Sequence, residues 1–184
     1  MTTKCDLEQT FSQLILSGKP VALIDLDGVI IDNNHRLPHI SHAVDGKQAP
    51  RQDADWAAFH AAAHLDTPGI FVPVVRRMIM YGMYTPIFLS ARIEVEYGTH
   101  ASILKQVREA LGAHIPHWSL LLRPQGSTEP APEFKGRIID MLLERKVQID
   151  LAVDDSHANC LQFKARGIPT LRMYNHLPED GYHY

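Results

Sequence analysis

The sequence predicts an α/β fold in which an open, Rossmann-like parallel sheet of about five strands carries helices on both faces. Short apolar runs recur along the chain, as at residues 21–24, and such runs are typical of strands that are covered on both faces. Stretches of helical length with one apolar face separate these runs. Strands that alternate with helices in this way form parallel sheets, and ligands bind at the carboxyl ends of their strands.

The first predicted elements are a helix and a strand. Asp6 is the predicted N-cap of the helix, and Gly18 ends it before the strand at residues 21–24. The apolar face of this helix comprises Leu7, Phe11, Leu14 and Ile15. Residues 33–54 are polar and irregular, and a short amphipathic helix is predicted over residues 56–64.

The remainder of the chain continues the alternation of helices and strands. Helices are predicted from Pro73 to Gly82, around Ile103 to Leu111, from Phe134 to Arg145 and up to Gly167. Strands are predicted at residues 87–89, 118–122, 151–153 and 170–173. Because no repeat, low-complexity tract or linker interrupts this pattern, we predict a single domain over residues 1–184. Residues 33–69 are predicted to form a small cap or loop insertion after the first strand.

Composition limits the classes of partner. The 184 residues include 18 Lys and Arg against 21 Asp and Glu, a formal net charge of -3. This balance lacks the basic excess with which proteins bind long nucleic acids, but it does not exclude a short nucleic-acid end. No apolar run reaches the roughly 18 residues of a membrane span. The two cysteines are far apart, which fits a reducing compartment, so we expect a soluble cytoplasmic protein and leave its oligomeric state open.

Two acidic pairs follow predicted strands. Asp25 and Asp27 come directly after the first strand, and side chains two residues apart in an extended chain point the same way. Gly28 then allows the backbone to turn sharply. Asp154 and Asp155 follow another apolar run. Carboxylates gathered at one sheet edge repel each other unless a cation binds, and oxygen ligands favour a hard ion, so we predict a Mg²⁺ site.

Further polar residues follow the other predicted strands. Ser90 and Arg92 come at the end of the second strand, and a hydroxyl and a guanidinium are suited to holding phosphate oxygens. Lys135 is predicted in the first turn of a helix, where the helix dipole disfavours a cation. This misfit indicates a functional role, although an exposed lysine also tolerates such a position.

The order D-x-D-G, then Ser, then Lys, then D-D resembles the four-motif signature of the haloacid dehalogenase-like phosphatases over nearly the whole chain. Within this superfamily, the sequence resembles the 3'-phosphatase domain of polynucleotide kinase/phosphatase enzymes, including the phage type. The runs that carry this second resemblance are residues 25–36, 55–59, 66–68, 90–92, 122–124 and 154–155.

The resemblance implies a phosphomonoesterase that forms an aspartyl-phosphate on Asp25, with Asp27 as general acid and base. We expect the carboxylate neighbours of Asp27 to raise its pKa and a bound metal to oppose them, with activity best at mildly acidic to neutral pH. The implied metal ligands are Asp25, the backbone carbonyl of Asp27, Asp154 and Asp155. The implied phosphate or substrate contacts are Ser90, Arg92, Lys135 and Arg36, of which the two arginines match substrate-contacting arginines in the family.

The sequence departs from the family pattern at positions that contact substrate. Ala91 stands where Gly is usual, Ser156 stands where Arg is common, and residues 129–133 lack the Asp that often precedes Lys135. The expected substrate is a 3'-phosphorylated end of DNA or RNA, or alternatively a free nucleoside monophosphate. No G-x-x-x-x-G-K-S/T motif occurs, so we expect no kinase domain in this chain.

Three alternatives stay open. A chain with this fold can be a binding or regulatory module without catalysis, although the intact acidic motifs argue against it. Trp56 and Phe59 are spaced either to stack on bases or to pack in a core. A structural zinc site is suggested by two sets of histidines, namely His35, His39 and His42, and His60 and His64.

Overall fold

A computed structural model describes residues 4–40, 43–44, 47–48 and 53–174 of the chain. The strands in chain order are β1 (Val21–Ile24), β2 (Ile31–Asp32), β3 (Ala43–Val44), β4 (Lys47–Gln48), β5 (Thr67–Pro68), β6 (Thr85–Ile93), β7 (Leu120–Arg123), β8 (Ile149–Asp154) and β9 (Thr170–Arg172). The helices are α1 (Lys4–Ser17), α2 (Asp53–Ala61), α3 (Val72–Met80), α4 (Glu94–Tyr97), α5 (His100–Leu111), α6 (Ala131–Glu144) and α7 (His157–Ala165). Short 3-10 helices lie at Asn34–His39, Ala62–Leu65 and His117–Ser119.

The predicted fold class is confirmed. Five strands form one parallel sheet in the order β7-β6-β1-β8-β9, with β1 at its centre. The four residues of β1 are fully buried and alternate between two cores: Ala22 and Ile24 face one, and Val21 and Leu23 face the other. Helices α3 and α5 cover the first core, and α1, α6 and α7 cover the second.

The strand order also determines where a ligand site forms. From β1 the chain moves outward through β6 to β7, and then it returns to the other side of β1 to form β8 and β9. At such a reversal of direction the connections diverge, which opens a crevice outside the carboxyl ends of the strands. The crevice of this sheet therefore lies beside the carboxyl end of β1.

Residues between β2 and β5 lie over this crevice, and we call residues 33–40 and 53–66 the cap segment. Its two ends are joined where β2 pairs antiparallel with β5. Gly69 completes the joint, because its backbone N–H donates to the carbonyl of Ile30 at 2.9 Å and a Cβ at Gly69 would lie 2.4 Å from the carbonyl oxygen of Val29. A glycine is therefore required by close backbone approach. The domain boundaries proposed from the sequence stay a prediction.

Several predictions about helix and strand boundaries, and one about a buried residue, are wrong. Helix α1 is already formed at Lys4, so Asp6 lies inside it and is not its N-cap. Ile15 is 62% exposed, because each residue of a helix turns about 100° from the last and Ile15 therefore points away from the sheet that Leu14 faces. Strand β6 continues to Ile93, well past the predicted residues 87–89, and the short helix α4 follows it directly.

Lys135 lies one turn deeper in α6 than predicted. The helix begins at Ala131 because Pro132, with its fixed backbone angle and missing N–H, is well accommodated in a first helical turn. Lys135 is therefore the fifth residue of the helix, and it is buried rather than exposed. None of the helices in the described ranges is both long and apolar enough to cross a membrane.

Candidate active site

Three carboxylates gather at the carboxyl ends of the two central strands. Asp25 follows β1, and Asp154 and Asp155 lie at the end of β8. Their oxygen atoms lie within 4.8 Å of one another. The neighbouring strands bring them together, since the backbone N–H of Asp25 donates to the carbonyl of Val153 at 2.9 Å. Asp25 and Asp154 are buried, and Asp155 is partly exposed.

Lys135 supplies a positive charge to this carboxylate group. Its Nζ lies 2.8 Å from Asp25 Oδ1 and 2.7 Å from Asp154 Oδ2. Burial alone lowers the pKa of Lys135, but Asp154 and Asp25 raise it above the usual value. The lysine is therefore held as a cation although its side chain is almost completely buried.

The carboxylate group has the chemistry of a site for a hard divalent cation. Burial raises the pKa of Asp25 well above its usual value, with Asp154 and Asp155 adding to the effect and Lys135 opposing it. Burial and Asp154 likewise raise the pKa of Asp155 to about 7. One lysine thus leaves excess negative charge among three oxygen ligands, and carboxylate oxygens are the ligands that Mg²⁺ prefers. The residues present therefore fit the predicted metal.

Asn159 orients Asp154, and the sequence reasoning did not identify it. Its Nδ2 donates to both oxygens of Asp154, at 3.0 Å and 3.1 Å, and the backbone N–H of Ser156 donates to Asp154 Oδ1 at 2.9 Å. Ser156 also caps α7 through its side chain, which places Asn159 over Asp154. The feature of the sequence that could have identified Asn159 is its position, one helical turn after an acidic pair that ends a strand.

Asp27 turns away from this group toward two arginines. Arg92 donates from Nε to Asp27 Oδ2 at 2.9 Å and from Nη2 to Oδ1 at 2.6 Å, and Arg36 Nη2 donates to Oδ1 at 2.5 Å. The predicted rise in the pKa of Asp27 is therefore wrong: burial raises the pKa, but Arg92 and Arg36 together lower it to about 2. The side chain of Asp27 is not a member of the carboxylate group, and metal binding by its backbone carbonyl stays a prediction.

Asp66 holds the two arginines in place from inside the protein. Its side chain is fully buried and accepts from Arg36 Nε at 2.8 Å and from Arg92 Nη2 at 2.9 Å. The ring centroids of Phe59 and Tyr97 lie 4.1 Å and 5.4 Å from the guanidinium carbon of Arg36, at cation–π distance. Arg36 and Arg92 bind these carboxylates and orient Asp27, and their contact with substrate stays a prediction.

A cavity of about 940 Å³ lies over the carboxyl ends of the strands. Of the residues predicted for the site, it is lined by Asp25, Asp27, Ser90, Arg92, Lys135 and Asp155. Ser90 is buried, and its Oγ accepts from the backbone N–H of Arg92 at 3.2 Å. Arg36 and Asp154 do not line the cavity. Arg36 binds Asp27 and Asp154 binds Lys135, and these two partners do line it.

The histidines that the structure describes do not form the alternative zinc site. Within the described ranges, Asp25, Asp154 and Asp155 are the only group of three or more candidate ligands, and no histidine belongs to it. His35 Nε2 and His64 Nδ1 instead contact the backbone carbonyls of Ala62 and Ala61. His42 lies outside the described residues.

Solved structures share this fold at low sequence identity. A chain of the Pnkp1/Rnl/Hen1 complex matches with a TM-score of 0.54 and 18% identity, over 84% of this chain and 46% of that one. A chain of the Pnkp1/Rnl/Hen1 RNA repair complex matches with a TM-score of 0.52 and 18% identity, over 86% of this chain and 44% of that one. A haloacid dehalogenase-like hydrolase from Streptococcus pneumoniae matches with a TM-score of 0.51 and 11% identity, over 85% of each chain.

These matches establish the fold. The chain shares its fold with these three chains, one of which is a haloacid dehalogenase-like hydrolase, and it spans less than half the length of the two Pnkp1-complex chains. No protein-family model matches the sequence, and no curated protein matches it either.

Proposed function

We propose that the protein is a Mg²⁺-dependent phosphomonoesterase that acts through an aspartyl-phosphate intermediate. The observation that carries this proposal is that Asp25, Lys135 and Asp155 line one cavity, at the edge where three carboxylates gather on a haloacid dehalogenase-like fold. A nucleophile, a cation and a metal-binding group at the same point are the parts that phosphoryl transfer requires.

The proposed reaction has two steps. In the first, a carboxylate oxygen of Asp25 attacks phosphorus, the bond from phosphorus to the leaving alcohol oxygen breaks, and Asp27 gives that oxygen a proton. In the second, Asp27 takes a proton from water, whose oxygen attacks phosphorus and releases phosphate and Asp25. The arginine pair favours the carboxylate form of Asp27, which the second step needs, and disfavours the protonated form, which the first step needs.

The remaining residues bind and orient. Ser90 and Lys135 line the cavity together with Asp25. In the proposed mechanism they would contact the oxygens of the phosphoryl group, where negative charge is spread in the transition state. Asp25, Asp154 and Asp155 would hold the Mg²⁺ ion. When bound, this ion neutralises negative charge on the carboxylates and on the phosphoryl group.

The substrate we propose is the 3'-phosphate of a DNA or RNA end. Two observations support it: the sequence runs shared with polynucleotide 3'-phosphatases, and the fold shared with a chain from an RNA repair complex. A nucleoside monophosphate is the second candidate, because Ala131 and Ser156 line the cavity where the family pattern has charged residues. We place this activity in the cytoplasm, which the composition supports.

Phosphate release from three kinds of substrate tests the proposal: a 3'-phosphorylated oligonucleotide, a 5'-phosphorylated oligonucleotide and a panel of mononucleotides, each with and without Mg²⁺. We expect the 3'-phosphorylated end to have the highest kcat/KM and chelation to abolish turnover. A preference of orders of magnitude for mononucleotides would select the second candidate. Hydrolysis of none of them would select the non-catalytic module.

A further inference from the structure

The cavity extends beyond Asp25 into an apolar region. On the side of the cap segment, this region is lined by the partly exposed ring of Trp56, with the buried side chain of Ile40 also in the wall. On the side of α6 it is lined by Pro130 and Pro132. A substrate that presents its phosphate to Asp25 therefore has an aromatic ring and two prolines available for the group that carries the phosphate.

The ring of Trp56 is held in one orientation by its neighbours. Phe59 packs against it edge-on, with ring centroids 5.7 Å apart and planes at 88°. Phe59 is itself only 5% exposed and forms a small core with Leu37 and Ile40. Both aromatic residues line the cavity, but Phe59 is a buried core residue, whereas Trp56 packs on that core and is partly exposed. A fixed aromatic ring loses little entropy when a ligand stacks on it.

The wall on the side of α6 is formed by Pro130, Ala131 and Pro132 and has little polar character. Arg123 Nη1 donates to the carbonyl of Glu129 at 3.0 Å, directly before Pro130. The proline rings restrict the backbone on either side of Ala131. Ala131 contributes only a methyl group at the position where the family pattern often has an Asp. This wall therefore offers contact area without a side-chain hydrogen-bonding pattern for one particular base.

The size of the cavity and its polarity suit a nucleotide. Its volume of about 940 Å³ is at the upper end of the roughly 300–1,000 Å³ of small-molecule sites. His60 and Glu96 also line the cap side, and they contact each other at 3.6 Å. The cavity has carboxylates at one end and the partly exposed ring of Trp56 in its apolar region. This arrangement matches a ligand that has phosphate at one end and a planar ring at the other.

We infer that the nucleobase of the nucleotide that carries the phosphate stacks on Trp56, with the segment Pro130-Ala131-Pro132 as the opposite wall. The inference rests on the proposed function, since it takes the substrate to be a nucleotide. Stacking is tolerant of sequence because every base has a π face. Hydrolysis should therefore require a base at the terminal nucleotide but depend little on which base it is.

The activity test compares two 3'-phosphorylated oligonucleotides that differ only in whether the terminal nucleotide carries a base or is abasic. We expect kcat/KM to be about 10-fold or more higher with the base, and Trp56→Ala to remove this ratio while Trp56→Phe retains most of it. Trp118→Phe is the matched control, because Trp118 packs against the core on the other face of the sheet, and it should keep the ratio.

A binding test does not depend on turnover or on the folding of Trp56→Ala. Trp56 and Trp118 are the two tryptophans of the chain, so Trp118→Phe leaves Trp56 as the sole indole fluorophore. We expect adenosine and cytidine to quench its fluorescence saturably, and inorganic phosphate alone to leave it unchanged.

The outcomes separate the subsite from the proposed function. If the abasic substrate is hydrolysed as fast as its partner, or if Trp56→Ala slows both equally, the base subsite is wrong while the phosphatase stands. If nucleosides quench Trp56 but no phosphomonoester is hydrolysed, the proposed function is wrong and the subsite stands.

Discussion

Arg92 holds Asp27 by two hydrogen bonds, from Nε to Oδ2 at 2.9 Å and from Nη2 to Oδ1 at 2.6 Å. The same Nη2 lies 2.9 Å from Asp66 Oδ2, in the interior of the protein. The candidate acid and base is therefore fixed through an arginine to a carboxylate that does not line the cavity. Because Arg92 and Asp66 determine the position of Asp27, we expect a substitution at Asp66 to affect activity although its side chain does not line the cavity.

Asp66→Asn should be strongly destabilising and should lower activity. The change leaves two buried guanidinium groups with less negative charge, and removal of one partner from a buried ion pair costs about 3 to 5 kcal/mol. Denaturant unfolding measures the stability, and kcat on a phosphomonoester measures the effect on Asp27.

Asp140→Asn is the matched control for this change. Asp140 also pairs with an arginine, Arg166, at 2.6 Å, but its side chain is 49% exposed. Exposed pairs contribute about 0.2 to 1 kcal/mol, so this variant should remain close to wild type in both measurements. Equal losses of stability in the two variants would contradict the structural role of Asp66.

Arg92→Lys should reduce kcat by about 100-fold, since a lysine cannot make the two-point contact and small displacements of a catalytic group are costly. Arg137→Lys is the control, because Arg137 makes a similar two-point contact with Glu129 on the surface. Steady-state kinetics measure kcat for both variants, and we expect only Arg92→Lys to lower it. If both retain wild-type kcat, the orienting role of Arg92 is refuted.

Asn159→Ala should weaken Mg²⁺ binding by about 10-fold to 100-fold, as is usual when a group that orients a metal ligand is lost. Calorimetric titration with Mg²⁺ measures this directly, without substrate. Gln162→Ala, in the same helix but bonded to Arg166, is the control. Unchanged Mg²⁺ affinity in Asn159→Ala would show that Asp154 needs no such support.

Gly69→Ala should destabilise the joint at the base of the cap segment by about 2 to 3 kcal/mol, because the new Cβ meets the backbone of Val29. Gly18→Ala is a useful comparison: Gly18 has a φ of +59° but open space around it, so that only the left-handed backbone is penalised, by about 1 kcal/mol. Thermal unfolding should rank the two variants in this order, and the reverse order would contradict the close approach at Gly69.

Local sequence patterns were sufficient to predict the sheet and its carboxylates. The run Val21–Ile24 is apolar throughout because it is buried on both faces, and such a strand is recognisable without its neighbours. Asp25, Asp154 and Asp155 were predictable as one group because the carboxyl ends of parallel strands share an edge. Ser90 was predictable for the same reason, and Lys135 was predictable from the family resemblance.

Interactions between distant segments were not predictable from such patterns. The buried charges of Asp66 and Arg92 pair with each other and with Arg36 and Asp27, and no periodicity in these segments signals that pairing. The same applies to the pKa of Asp27: adjacent carboxylates in the sequence suggested a rise, whereas arginines from two other segments lower it. Asn159 was overlooked because its contact depends on how α7 begins after β8.

The most direct test of the central claim is to trap the intermediate. The enzyme is mixed with excess 3'-phosphorylated oligonucleotide and Mg²⁺, quenched in acid within a turnover, and treated with borohydride, which reduces an acyl phosphate to an alcohol. We predict that mass spectrometry finds homoserine at position 25 in the wild type, and no reduction at that position in Asp25→Asn. Steady turnover without modification at Asp25, or with an acyl phosphate on another carboxylate, would contradict the account.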